Sequence, residues 1–192
     1  MAVKDLAKVV QDSLGEQGVK KKHTALREMV SWALVIAVSV GAALFLNRFV
    51  IVNARVTSGS MENTIMTGDR VLGLRFSYWF SDPQRGDIVI FRYPDDETQN
   101  YIKRVIGIPG DVIEIVDGRV YVNGQVLSEP YLREEPYGSF GPYQVPEGHY
   151  FMLGDNRNNS KDSRVWNNKF VAKDKILGKA YWIYYPSLKS VG

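Results

Sequence analysis

One long apolar stretch near the N-terminus is followed by many short ones. Residues 29–46 read MVSWALVIAVSVGAALFL and contain no charged side chain. As a helix this stretch spans about 27 Å, close to the hydrocarbon thickness of a bilayer. A buried helix of a soluble domain is the alternative, but the stretch has no polar face at helical spacing. The pattern therefore predicts a transmembrane helix over residues 29–51, with the apolar residues Phe49 to Val52 near its interfacial end.

The residues around this helix predict an uncleaved anchor of defined orientation. A removable signal peptide would have an apolar core of about 7–15 residues and a short leading segment. Here the apolar core is longer, and 28 residues precede it. Basic residues lie just before the helix, at Lys20, Lys21, Lys22 and Arg27. By the positive-inside rule, residues 1–28 are expected to form a basic cytoplasmic tail, and residues 52–192 an extracytoplasmic domain.

The chain after residue 54 shows the twofold alternation of β-strands. Val112–Val116 and Arg119–Val122 are separated by Asp117-Gly118 and followed by Asn123-Gly124, which is typical of tight hairpin turns. Further strands are predicted at Arg70–Arg75, Asp87–Phe91, Tyr101–Ile108, His149–Leu153 and Ala180–Tyr185. Leu132–Pro146 is rich in Pro, Gly and Glu and is predicted to be a long surface loop. The fold class expected is mainly β, a single all-β domain behind one N-terminal transmembrane helix.

Two aromatic clusters interrupt this pattern, at Phe76–Phe80 and Tyr181–Tyr185. The first lies between a predicted strand and Asp82-Pro83, so we expect a loop. Such a loop either dips into lipid headgroups, where Trp and Tyr are favoured, or stays in water, and the sequence favours neither. The second cluster is predicted to be the core of a strand.

The charge distribution argues against a nucleic-acid partner. The chain has 24 Lys and Arg against 21 Asp and Glu, a net charge of +3. The excess lies in the N-terminal tail and at Arg48, whereas residues 49–192 are balanced, so no phosphate-backbone surface is expected. The absence of Cys excludes disulfides, a Cys nucleophile and Cys-ligated metals, and His23 and His149 alone cannot form a multi-histidine site. We therefore expect no metal site built from Cys or from several His residues, and we expect a lipid bilayer around the anchor.

Two groups beyond the anchor are candidates for nucleophilic catalysis. Ser58-Gly59-Ser60 by itself more often marks a turn, so its case depends on a partner base. His149 shows no pairing signal with an Asp, and lysine is the other known base for serine. Lys103 lies in an otherwise apolar strand, where burial would lower the pKa of its ammonium. The alternative is an edge-strand lysine that reaches water, and the sequence favours neither.

The polar segment from Gly154 to Arg164, GDNRNNSKDSR, is the third candidate. It is either a connecting loop or a rigid part of a site. Asp and Arg at this spacing can form bidentate pairs that fix a loop. A hydroxyl from such a loop could orient a lysine amine.

With these residues in view, the chain resembles bacterial type I signal peptidase, a membrane-bound serine protease of the cell membrane. The resemblance rests on the anchor and on five blocks that follow it in the family's order, namely SGSMENT, GDRVLGLR, RGDIVIFRYP, YIKRVIGIPGD and GDNRNNSKDSR. It implies the family's all-β catalytic domain and a single-pass anchor. It also implies that the substrates are signal peptides of secretory preproteins, cleaved at small-x-small sites without a cofactor.

The resemblance also implies roles for individual residues. Ser60 corresponds to the nucleophile and Lys103 to the general base. The side chain of Ser58 and the backbone N–H of Ser60 would form the oxyanion hole, and Ser160 would orient the Lys103 amine. The implied structural supports of the site are Asp155, Asp162, Arg164 and Arg104.

Asn63 departs from the family pattern because proline is usual at its position. Proline would fix φ there, so its loss predicts a looser turn behind Ser60. Two other functions stay open: a Ser–Lys protease of the self-cleaving repressor type, and an anchored β module that only binds envelope proteins. The export anchor and the lack of a DNA-binding segment argue against the first.

Overall fold

The N-terminal part of the structure is a single helix. The computed structural model describes residues 27–191, so the predicted tail, residues 1–28, lies outside the described residues except for its last two. Helix α1 (Arg27–Val50) is α-helical over residues 27–45 and π-helical over Leu46–Val50. It is long and apolar enough to cross a membrane. The predicted interfacial segment, Phe49 to Val52, is only partly helical, because a strand begins at Ile51.

The second compact unit, Asn47–Gly192, is built from strands. The strands are β1 (Ile51–Arg55), β2 (Arg70–Leu74), β3 (Ile88–Tyr93), β4 (Asp96–Gly107), β5 (Val112–Val116), β6 (Arg119–Val122), β7 (Gln125–Val126), β8 (Phe140–Gln144), β9 (His149–Leu153), β10 (Val171–Ala172), β11 (Ile176–Tyr185) and β12 (Lys189–Ser190). Beyond the end of α1, the described helices in this unit are short 3₁₀ turns at Gly59–Met61, Arg75–Tyr78, Arg157–Asn159 and Lys173–Lys175. The predicted fold, mainly β behind one N-terminal apolar helix, is confirmed.

The strands form two antiparallel sheets, and the larger one positions the candidate residues. Its order is β1-β2-β11-β3-β4-β9-β10, with β12 paired to β11, and the smaller sheet has the order β7-β6-β5-β8. Strand β4 lies between β3 and β9, with Lys103 opposite Val89 and Arg104 opposite Leu153. Because β9 ends at Leu153, the polar segment that follows it begins beside Arg104.

A buried apolar cluster anchors the turn that carries Ser60. Met61 and Ile65 follow this serine in sequence and are 1% and 0% exposed. They pack with residues of the larger sheet, including Val52 and Ile90. Burial of each such side chain contributes about 1.5–3 kcal/mol. The position of the Ser60 turn is therefore fixed by the core.

Two predictions for the outer segments need correction. Leu132–Pro146 is not loop throughout, because β8 (Phe140–Gln144) pairs with β5. Phe140 and Tyr143 pack on a buried apolar cluster of the smaller sheet. The Gly141-Pro142 pair led to the prediction of a loop, but these residues are tolerated in β8 because it is an edge strand.

The two aromatic clusters differ in their surroundings. Phe76–Phe80 lies in and after a 3₁₀ turn, as the loop prediction required, and Phe80 is 97% exposed. Tyr181–Tyr185 does lie in strand β11. Of the second cluster, however, Ile183 is buried while Trp182, Tyr184 and Tyr185 are exposed, so the prediction of a strand core was wrong for these three.

Candidate active site

A hydrogen bond joins Lys103, on strand β4 of the larger sheet, to Ser60. Ser60 lies on the 3₁₀ turn Gly59–Met61, and its side chain is largely buried. Lys103 projects from β4 and is 3% exposed, so it does not reach water as an edge-strand lysine would. Its Nζ donates a hydrogen bond to Ser60 Oγ.

The surroundings of Lys103 bring the pKa of its amine close to neutral pH, so that a fraction of the amine is unprotonated there. Burial lowers the pKa of Lys103 from 10.5 to about 8, because the ammonium loses its hydration. The charges of Asp162 and Asp155 raise this pKa, and the charge of Arg164 lowers it. Desolvation is the largest of these effects. A lysine with such a pKa can accept a proton at neutral to mildly alkaline pH.

Two bidentate ion pairs lie near the lysine, one within the polar segment and one between that segment and β4. Arg104 donates to Asp155 through Nε (2.9 Å) and Nη2 (2.7 Å), and Thr64 Oγ1 donates to the same carboxylate at 2.5 Å. Arg164 donates to Asp162 through Nε (2.7 Å) and Nη2 (2.8 Å). All four charged side chains are at most 10% exposed. Asp155, through Arg104 and Thr64, links β4 and the Ser60 loop to the polar segment after β9, whereas Arg164–Asp162 lies within that segment.

The other two predicted serines occupy different environments. Ser58 Oγ is 3.3 Å from Ser60 Oγ, at the entrance to the 3₁₀ turn. Ser160 Oγ is buried but has no hydrogen-bond partner among the described residues, so the predicted bond to the Lys103 amine is absent. Ser160 instead packs against Gly154, where an added Cβ would collide with Ser160 Oγ and with the Ser60 carbonyl oxygen. Glycine is therefore required at position 154 by close packing.

Asn156 contacts the serine turn directly, and sequence analysis did not single it out. Its backbone N–H donates to the Ser60 carbonyl at 3.1 Å, and its Nδ2 donates to the Gly59 carbonyl at 3.0 Å. It is 3% exposed. Asn156 thus fixes the two carbonyl groups on either side of the Ser60 N–H. Its position inside the GDNRNNSKDSR segment was the available signal.

A third buried ion pair, Glu129–Arg157, was also missed. Arg157 is 1% exposed and donates to Glu129 through Nη1 (2.9 Å) and Nη2 (2.5 Å), while its Nε donates to the Gly154 carbonyl at 3.0 Å. Tyr131 OH donates to Glu129 at 2.7 Å, and the Tyr131 ring lies 3.7 Å from the Arg104 guanidinium carbon. The segment around Glu129 therefore braces both the polar loop and Arg104. No local pattern connects Glu129 to a partner 28 residues away.

Asn63 has a backbone conformation that proline cannot adopt. Its φ is +92°, in the left-handed region, whereas proline is restricted to about −65°. The Asn63 side chain donates from Nδ2 to the Tyr131 carbonyl at 2.8 Å. This bond ties the turn to the segment around Glu129, so the expectation of a looser turn is not met by the structure.

An open cleft of about 780 Å³ adjoins Ser60 and Lys103. Its apolar lining residues are Ala54, Val56, Met61, Ile65, Ile102 and Val165, and Ser58 and Ser160 also line it. The cleft lies beside the ends of β1 and β4, where an extended peptide could align. The arrangement offers a serine hydroxyl, a proton acceptor and a cleft of mixed polar and apolar lining that could hold a chain substrate.

Comparisons with known proteins show the family to which the chain belongs. The profile of the family described as "Signal peptidase, peptidase S26" matches residues 29–185. A probable signal peptidase I-2 of Synechocystis sp. is 36% identical over 93% of this chain and 83% of its own length. A signal peptidase I of Bacillus licheniformis is 34% identical over 89% of this chain and 94% of its own length. A crystal structure of a signal peptidase I from Enterococcus faecalis V583 is 38% identical and aligns with a TM-score of 0.46 over 52% of this chain and 97% of that chain. The match over residues 29–185 and these identities show that the chain belongs to the signal peptidase family, peptidase S26.

Proposed function

We propose that this chain is a membrane-bound serine endopeptidase that cleaves N-terminal signal peptides from exported preproteins. In this proposal Ser60 is the nucleophile and Lys103 the general base. The observation that carries it is the hydrogen bond from the buried Lys103 amine to Ser60 Oγ, in a chain of the signal peptidase family. The lowered pKa of Lys103, about 8, supports the assignment of a base.

The reaction is acyl transfer in two steps. The neutral Lys103 amine takes the hydroxyl proton while Ser60 Oγ bonds to the scissile carbonyl carbon. The tetrahedral intermediate then collapses, the C–N bond breaks, and the Lys103 ammonium gives its proton to the leaving amine. Water attacks the acyl-enzyme after losing a proton to Lys103. The second tetrahedral intermediate collapses, the bond from the acyl carbon to Ser60 Oγ breaks, and Lys103 returns its proton to Ser60 Oγ. The signal peptide leaves as a carboxylic acid, which loses the remaining proton of the water to solvent.

Stabilisation of the oxyanion is assigned to the Ser58 hydroxyl and the Ser60 backbone N–H. Ser58 Oγ lies 3.3 Å from Ser60 Oγ, the proposed nucleophile. At this distance the Ser58 hydroxyl and the Ser60 N–H could both donate to the oxygen of the scissile carbonyl. Loss of one such donor costs about 2.7–4 kcal/mol of transition-state stabilisation. The supporting roles go to the two bidentate pairs, Arg104–Asp155 and Arg164–Asp162. Ser160 has a buried hydroxyl beside this site and stays a candidate for orienting the amine.

The substrate is proposed to bind as an extended strand in the cleft. The apolar lining suits small side chains of an Ala-x-Ala type of site. We assign residues 1–28 to the cytoplasm, 29–51 to the membrane and 52–192 to the extracytoplasmic side. A preprotein tethered by its own apolar segment meets the enzyme in the same membrane, which raises the effective concentration of both.

Replacement of the proposed dyad tests this function. In an assay on a secretory precursor, Ser60→Ala should abolish release of the signal peptide, and Lys103→Ala should slow it by about 10²–10⁴-fold. The exposed residues Ser139 and Lys189 supply matched controls, Ser139→Ala and Lys189→Ala, which should process at the wild-type rate. Wild-type rates in either dyad variant would refute the assignment.

The orientation has its own test because the chain contains no cysteine. Single substitutions Ser13→Cys and Ser139→Cys provide one thiol on each side of the anchor. A membrane-impermeant maleimide added to intact cells should label the chain with Ser139→Cys and leave the chain with Ser13→Cys unlabelled. The opposite pattern would overturn the proposed topology.

A further inference from the structure

A second concavity, of about 560 Å³, lies in the strand-rich unit and shares no lining residue with the cleft. Its volume is within the range of about 300–1,000 Å³ that is typical of small-molecule sites. Its basic lining residues are Arg48, Arg75 and Lys173, and its aromatic lining residues are Phe49, Tyr78 and Trp79. One carboxylate, that of Asp174, also lines it and lies 4.0 Å from the amine of Lys175. The concavity therefore combines cations with apolar rings.

Two of these cations face the concavity without a counterion. Lys173 pairs with Asp82 at 2.5 Å. In residues 27–191, however, no carboxylate pairs with Arg48 or Arg75, and the Arg75 Nε donates only to the Ile51 carbonyl, at 2.9 Å. Burial and then the charge of Arg48 lower the pKa of Arg75, as expected of neighbouring like charges. An anion between the two guanidinium groups would convert this repulsion into attraction.

The guanidinium geometry selects a particular kind of anion. With Nε occupied, Arg75 still offers the N–H groups of Nη1 and Nη2 in a planar fork. Such a fork binds phosphate oxygens in a bidentate manner, and arginine is the preferred residue for this geometry. The adjoining rings of Phe49 and Trp79 suit the apolar part of an amphipathic molecule.

The position of Arg48 along the chain indicates where this anion would come from. Arg48 is two residues beyond Leu46, the last residue of the apolar stretch, which is about 3 Å along a helix axis. If the stretch spans the hydrocarbon layer, Arg48 lies at the depth of the lipid headgroups. Trp79 is 58% exposed, and tryptophan is enriched at this depth.

We propose that this concavity binds the phosphodiester headgroup of an anionic membrane lipid between Arg48 and Arg75. The site would fix one lipid against the strand-rich unit, beside the membrane end of the chain. The proposal depends on membrane insertion of the helix, but not on proteolysis by this chain.

Lipid retention by the full-length chain tests the proposal. The protein is reconstituted in nanodiscs of equal parts phosphatidylcholine and phosphatidylglycerol, and the lipids that stay bound after transfer to detergent are counted by native mass spectrometry. Wild type should retain phosphatidylglycerol over phosphatidylcholine. In the double variant Arg48→Gln/Arg75→Gln, this preference should fall about fivefold for each arginine that is replaced. Removal of the same charge elsewhere, in Arg119→Gln/Lys189→Gln, should leave the preference unchanged.

Each other outcome overturns the proposal. An equal loss in the control pair would mean that general surface charge attracts the lipid. Displacement of phosphatidylglycerol by millimolar glycerol phosphate would identify a site for free phosphate. If the double variant fails to insert in the membrane, the single variant Arg75→Gln replaces it, because Arg75 lies outside the helix. This variant should show an about fivefold lower preference for phosphatidylglycerol than wild type. An unchanged preference would refute the site. Signal peptide cleavage is measured separately, so failure of the peptidase assignment leaves this result interpretable.

Discussion

Replacing Lys103 by methionine is expected to inactivate the enzyme and to stabilise its fold at neutral pH. Lys103 is 3% exposed and has no carboxylate bonded to its amine in the described chain, so its ammonium form is poorly solvated. Methionine has a similar unbranched shape and carries no charge. The substitution therefore removes the cost of burying an ammonium and leaves the packing of β4 almost unchanged.

The size and pH dependence of this gain follow from the pKa of Lys103. Its pKa is about 8 in the folded protein and 10.5 as a model value. Below pH 8 both the folded and the unfolded chain carry the proton, so the folded state bears the full penalty, about 3 kcal/mol. Between pH 8 and 10.5 the unfolded chain binds more protons than the folded one, so wild-type stability rises with pH. Above pH 10.5 the penalty disappears.

Urea unfolding of the full-length protein in detergent, followed by tryptophan fluorescence, measures the effect. Lys103→Met should exceed wild type by about 3 kcal/mol at pH 7, by about 2 kcal/mol at pH 9, and by well under 1 kcal/mol at pH 10.5. At neutral pH the melting temperature should rise by about 6–12 °C. Lys189→Met, at an exposed position, should change neither quantity. Equal stability of Lys103→Met and wild type at pH 7, or a gain that does not vary with pH, would refute the reasoning.

Three further substitutions test the surroundings of the dyad. The kcat/KM of wild type should rise with pH around the pKa of Lys103, about 8. Arg164→Met leaves Asp162 unpaired, so it should raise the pKa of Lys103 and move the rise in kcat/KM to higher pH. A rise at the wild-type pH would contradict the electrostatic account. Asn156→Asp removes the donor to the Gly59 carbonyl, so kcat should fall about tenfold with KM unchanged, whereas a change in KM alone would indicate a substrate contact. Asn63→Pro should lower the free energy of unfolding by about 3 kcal/mol because φ is +92°, while Asn63→Gly should cost less than 1 kcal/mol, and equal costs would contradict the argument from φ.

The fold was predictable where one local pattern dominates. The unbroken apolar stretch predicted α1. Twofold alternation with Asp117-Gly118 and Asn123-Gly124 predicted the hairpin of β5 and β6 and the turn that follows β6, and Asp117 and Asn123 both have positive φ. Strand β8 was missed because Gly and Pro are poor strand formers, and its pairing with β5 depends on tertiary packing.

The candidate site was predictable only in part, because its partners are distant in sequence. Blocks of sequence located Ser60, Lys103 and the polar segment after β9. They did not reveal Glu129, whose carboxylate is buried against Arg157 across 28 residues of chain. The missing bond of Ser160 also lies beyond sequence patterns, because a hydroxyl partner is decided by side-chain positions within a fraction of an ångström.

Stability alone does not explain why the proposed base lies beside two buried ion pairs. Such pairs contribute little net stability, because the cost of desolvation offsets the attraction between the charges. Each carboxylate near Lys103 raises its pKa, and an unpaired one would raise it further and move deprotonation of the amine to higher pH. Pairing Asp155 with Arg104 and Asp162 with Arg164 limits this field while both carboxylates still accept hydrogen bonds from the loops around Ser60. The pairs therefore fix the loops and still allow burial to determine the protonation of Lys103.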